Sequence, residues 1–170
     1  MTLHVPIEQP LSDTHRAAID AVNRWRGHCV ELYARLEYEV TRTLSEMAER
    51  PYSSVSVPHN FGDKVKKLRA AVDAHGPHPA DNIVRALGTF TDHLERRNML
   101  VHARGKVWID PKGDWLWRYR FQPSGKGRAQ EIGSFNKDEA LEIERSLSSE
   151  SRSFASHLSA LRQTLKTVTE

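Results

Sequence analysis

The chain has one cysteine, Cys29, so no disulfide can form within it. Its surroundings read as a helix face, and Cys29 is expected to be a small packing residue. No apolar run approaches the ~18 residues of a membrane span, so no membrane partner is expected. Residues 1–13 show no basic region leading into an apolar core, so no secretory leader is expected and a reducing cytoplasm fits. Several catalytic signatures are missing as well. There is no Gly-x-Ser-x-Gly elbow, and SGKGR at 124–128 lacks the spacing and the following Ser or Thr of a phosphate-binding loop. His59, His75 and His78 read as polar loop residues, so neither a metal nor another cofactor is expected. Internal repeats, low-complexity tracts and an interdomain linker are also lacking, which leaves one domain over 1–170.

What is present begins with an uneven charge. The net charge is +3, yet residues 95–128 carry nine Lys/Arg against three acids, which leaves the remainder net acidic. A basic segment on a mildly acidic body suits a polyanion partner, since its field steers one toward it; an ordinary solvated surface is the alternative.

Hydrophobic periodicity predicts a mainly α protein. Val22, Trp25, Cys29, Tyr33, Leu36, Val40, Leu44 and Met47 recur every three or four residues, which predicts a long helix over 13–49 with Ser12 as N-cap. Shorter helices are expected over 63–74 and 80–102, and a long one over about 136–167. The third carries Ile83, Leu87, Phe90 and Leu94, followed in the same rhythm by Arg97 and Val101. Arg97 thus falls where the pattern asks for an apolar residue, and a buried guanidinium needs a partner, a ligand or a wet cleft. Between the third and fourth helices the period drops to two. KVWID-PKG-DWLWRYRF predicts a β-hairpin, an insertion spanning 106–133, and QEIGSF can supply a further strand. Trp115, Trp117, Tyr119 and Phe121 share one face, with Leu116, Arg118 and Arg120 on the other.

The stretch ERRNMLVHARG, 95–105, holds the most specific constellation. An Arg followed five to seven residues later by His occurs four times, and composition alone predicts roughly 2.7 pairs over those three spacings. Context separates them: only Arg97 has Asn behind it, lies near a helix end on the apolar rhythm, and meets a glycine and a strand just beyond. Arg97-Asn98-x-x-x-His102 resembles the signature of the HEPN superfamily, the higher eukaryotes and prokaryotes nucleotide-binding domains. The resemblance implies a four-helix up-and-down bundle covering most of the chain, to which the hairpin is an addition. It also implies metal-independent RNA cleavage. His102 would act as general base or acid at a ribose 2′-hydroxyl, Arg97 would hold the phosphate, and Asn98 would position substrate or imidazole. Arg96, Arg104, Lys106, Arg118 and Arg120 are the candidate contacts to the RNA backbone.

Geometry sets a condition. Five residues apart on a regular helix, Arg97 and His102 stand roughly 140° apart. Either the helix loosens at Val101–His102, or two copies pool their motifs across a twofold axis; the resemblance implies the homodimer. A toxin or defence role with a possible antitoxin partner is likewise implied. Two other readings stay open. A non-catalytic module would bind RNA, nucleotide or protein through the same basic cleft. In a purely structural bundle, Arg97 would pair with Glu37 or Glu39 while His102 caps the helix.

Overall fold

The computed structural model describes residues 12–49, 55–75, 81–123 and 127–167, without the side chains of 75, 81–84, 89–93, 166 and 167. The chain is mainly helical, with a small three-stranded antiparallel sheet. In chain order come α1 (Asp13–Ala48), α2 (Phe61–His75), α3 (Asp81–His102), β1 (Arg104–Ile109), β2 (Trp115–Phe121), β3 (Glu131–Asn136) and α4 (Lys137–Thr167). The expected helices agree with these bounds to within two residues. Ile83, Phe90, His75 and His78 lie outside the described side chains, as do Pro51 and Lys126.

α1 is the spine because its stripe is unbroken. Its 36 residues extend ~54 Å, and Ser12 Oγ accepts the His15 N–H at 3.2 Å as the expected N-cap. All eight stripe residues named above are buried, and α2, α3, α4 and the sheet pack against them. Cys29 is fully buried there, and burial, with Glu144 adding to it, pushes its thiol up to about 12, as a packing residue requires. α2 starts at Asn60, whose Oδ1 accepts the Asp63 N–H at 2.8 Å. α4 starts on a reciprocal cap: Asn136 Oδ1 accepts from the Glu139 N–H, and Glu139 Oε2 from the Asn136 N–H, both at 2.9 Å. With its cap formed by the last residue of β3, α4 follows the sheet without a loop.

The expected two-stranded insertion over 106–133 is corrected to a three-stranded meander over 104–136, in the order β1-β2-β3. QEIGSF does pair, because β2 offers both edges and Phe135 stacks on Tyr119 at 5.4 Å between ring centroids. The β1–β2 turn is built on Asp110, whose carboxylate accepts the Lys112 and Asp114 N–H groups at 2.9 Å, while Gly113 takes φ +88°. The inner face presents Trp115, Trp117, Tyr119 and Phe121 as anticipated. Trp25 of α1 meets Trp115, Trp117 and Phe135 with centroids 5.6–6.0 Å apart.

Trp117 reaches that position by packing its indole against Gly105. A Cβ at Gly105 would stand 2.0 Å from Trp117 Nε1 and 2.7 Å from the Arg118 carbonyl oxygen. Since one obstacle is backbone, side-chain rotation alone cannot relieve the clash. Gly105→Ala is therefore expected to cost about 3 kcal/mol, the upper end for overpacking, read as a lowered midpoint in urea denaturation. An unchanged midpoint would show that the ring does not sit against this backbone.

Candidate nucleic-acid interface

α3 remains a regular α-helix to its end, with the Ala103 N–H donating to the Met99 carbonyl at 2.8 Å. Of the two alternatives, a loosening of the helix at Val101–His102 is therefore not what the chain does. Met99, Leu100 and Ala103 are the residues buried against the core here, so the apolar face has turned away from the 94–97–101 rhythm. Arg97 is consequently half-buried, not deep in the seam, and Val101 is exposed. Arg97 Nη1 donates to Asn98 Oδ1 at 3.0 Å, so these two motif residues touch. His102 is exposed on the last turn, and among the described residues no hydrogen bond joins it to either. One chain thus brings together Arg97 and Asn98 and leaves His102 on another side of the helix.

The purely structural alternative also fails in its particulars. Glu37 pairs with Lys64 at 2.7 Å and Glu39 with Arg162 at 2.8 Å, so each suggested partner of Arg97 is taken. His102 does not close the helix either. Arg26 does, its Nη2 donating to the Leu100 carbonyl at 2.6 Å and the Ala103 carbonyl at 3.3 Å. The same guanidinium lies 4.5 Å from the centroid of the Trp117 ring. Arg26 therefore fixes the corner at which α3 becomes β1, and with it the placement of His102 beside the sheet. Sequence reasoning missed it, because periodicity does not reveal which helix end a long polar side chain reaches.

The outer face of the sheet gathers four of the five expected backbone contacts. Cross-strand register sets Arg104 opposite Arg120 and Lys106 opposite Arg118, so four cations form a square. Continuing onto β3, Arg120 faces Ile132 and Arg118 faces Ser134. Trp108, opposite Leu116, completes the face toward the turn. No acid occupies any outward position of the strands, and among the described residues none of the four cations makes an ion pair. Their side chains, with Trp108 and Ile132, line an open hollow of ≈ 590 Å³. Trp108 and Ile132 are 52% and 67% exposed, unusually open for such large apolar groups. Neither was foreseen, although alternation along β1 already places Trp108 beside Lys106.

Arg96 departs from the group. It lines a separate hollow between β3 and α4, whose lining it shares with Ser134, Phe135, Glu139 and Glu142. Arg128, between β2 and β3, is paired with Glu95.

Like charges directly across a ladder repel, so the square costs the fold stability rather than supplying it. Lys106→Gln should raise folding stability by ~0.2–1 kcal/mol, the range of such cross-strand pairs, seen as a small increase in Tm at low salt that vanishes at high salt. A decrease would mean that the cations already hold each other through an unseen anion or acid. Among the described residues no group of His, Cys, Asp and Glu is arranged to hold a metal ion, and no helix is long and apolar enough to cross a membrane.

Comparison with protein-family models, curated proteins and solved structures gives no match for this chain.

Proposed function

We propose that the protein is a HEPN-type endoribonuclease that binds RNA on the outer face of its sheet and cleaves it as a twofold dimer. The observation carrying the binding half is the square of Arg104, Lys106, Arg118 and Arg120, unpaired by any described acid and beginning two residues after His102. An arrangement that destabilises the empty sheet is understandable when an anion occupies it. RNA phosphates supply that charge at regular intervals. The catalytic half rests on the Arg97-Asn98-x-x-x-His102 resemblance, and the regular helix makes the twofold arrangement its requirement. In this reading α1 to α4 form the HEPN-like bundle, the sheet is its addition, and an antitoxin protein is the natural partner of a toxin role.

The chemistry uses RNA's own nucleophile. His102 removes the 2′-hydroxyl proton, the 2′-oxygen attacks the adjacent phosphorus, and the bond to the 5′-oxygen breaks as that oxygen takes a proton from water, to which the imidazolium then returns its own. Arg97, held by Asn98, faces the charge that develops on the phosphoryl oxygens. The products are a 2′,3′-cyclic phosphate and a 5′-hydroxyl end, and no metal takes part.

The test is incubation of purified protein with RNA in the presence of chelator, with the product ends analysed. Cyclic phosphate ends are expected. RNA that is bound but never cut would favour a non-catalytic binding module, the reading to which the separation of His102 from Arg97 within one chain points. Binding itself should weaken with salt at a log–log slope of about −3, for four phosphates on a single strand. A slope near zero would remove the cation square from the interface.

A further inference from the structure

The outer sheet face differs from a plain basic patch in carrying its apolar groups among its cations. β1 presents Arg104, Lys106 and Trp108 in succession on that face, ~6.7 Å apart along the strand. β2 sets Arg120, Arg118 and Leu116 opposite them, and β3 adds Ile132, Ser134 and Asn136. Cations therefore crowd the end near α3, and the indole stands at the end near the turn. The other tryptophans that the structure describes are buried on the inner side, where Trp25, Trp115 and Trp117 pack together. Trp108 takes no part in that cluster; it borders both the outer hollow and a second one of ≈ 450 Å³ toward α1, with His15 and Asn23.

We infer that this face holds single-stranded RNA, with one base stacked on Trp108 and the backbone carried by the cation square; this rests on the RNA-binding reading above. A duplex would use the cations but not the indole, because its base faces are covered by their neighbours. A single strand offers both phosphates and open base faces, and aromatic stacking accepts any base. Ser134 adds a hydrogen-bonding group of modest size, and the sheet's width suits two or three nucleotides. β1 is an edge strand, so the RNA can leave over it toward His15 and Asn23. The opposite end of the path, at Arg104 and Arg120, delivers the backbone to the corner that bears His102.

Binding is measured in the His102→Ala background, so that no strand is cut, with two probes: an oligouridine of about ten nucleotides and a blunt RNA duplex of equal length. The single strand is expected to bind more tightly and to quench tryptophan emission. Trp108→Ala should weaken single-strand binding about tenfold with the salt slope unchanged, since stacking, not charge, is removed. Trp108→Phe should recover most of that loss, and because residue 108 is solvent-facing both variants are expected to fold, as near-ultraviolet circular dichroism will report. Duplex bound as tightly as single strand, or Trp108→Ala binding like its parent, would overturn the inference while leaving salt-dependent RNA binding standing. No affinity for either probe would overturn both this inference and the reading beneath it.

Discussion

Protein carrying His102→Ala should cleave RNA at least about a hundredfold more slowly than wild type, the ordinary contribution of a general acid–base group. Arg97→Ala should lose a similar factor, because the charge developing at phosphorus would face no guanidinium. The more telling result comes from mixing the two inactive proteins. α3 is regular through His102, so within one chain the guanidinium and imidazole stand roughly 140° apart. If each site takes Arg97 from one copy and His102 from the other, a mixed dimer contains one intact site and one doubly damaged site. Random exchange should then restore about a quarter of wild-type activity under twofold symmetry. A mixture as inactive as its components would place both groups of each site in the same chain, which the geometry of α3 disfavours, or remove the catalytic assignment altogether.

Arg162→Ala should lower the free energy of unfolding by about 3 kcal/mol, the lower end for breaking a buried ion network. Arg162 lies in α4, 6% exposed, among Leu158, Leu161 and Leu165. It reaches α1 through three partners: Glu39 Oε2 at 2.8 Å, Glu46 Oε1 at 3.7 Å and Thr43 Oγ1 at 2.9 Å. Truncation would leave the Glu39 carboxylate facing a hole lined with leucine, while Glu46 keeps Arg42 at 3.1 Å, and these remaining contacts set the loss at the lower end of the range. Much of the loss is the penalty of the stranded Glu39, not the strength of the bridge. Arg162→Met combined with Glu39→Gln should therefore recover a large part of it. Urea denaturation measures both variants. A loss under about 1 kcal/mol for the alanine variant would mean that water already screens the network, as at ordinary surface pairs.

The candidate site divides by how far along the chain its determinants lie. Arg97, Asn98 and His102 fall within six consecutive positions, so their order and their helix were legible at once, as were the Ser12 cap and the α1 stripe. Their mutual geometry was legible only as a condition, and it took the unbroken turn at Ala103 to remove one of its two solutions. The apolar rhythm placed Arg97 in the seam, but Met99 and Leu100 hold that place, because packing against α1 rotates the end of α3. Arg26 was invisible for the same reason: its targets, the Leu100 and Ala103 carbonyls, are more than seventy residues away in sequence.

Periodicities of 3.6 and 2 are set by neighbours a few positions apart, so the helices, the strands and the inward aromatic face followed from local sequence alone. The basic character of 95–128 followed likewise, being a matter of composition. Which cations stand opposite one another, that β3 joins the sheet, and that Arg96 turns toward α4 instead depend on strand register and on side chains meeting across distant segments. Those contacts are chosen by the packing of the whole core, and only the tertiary structure decided them.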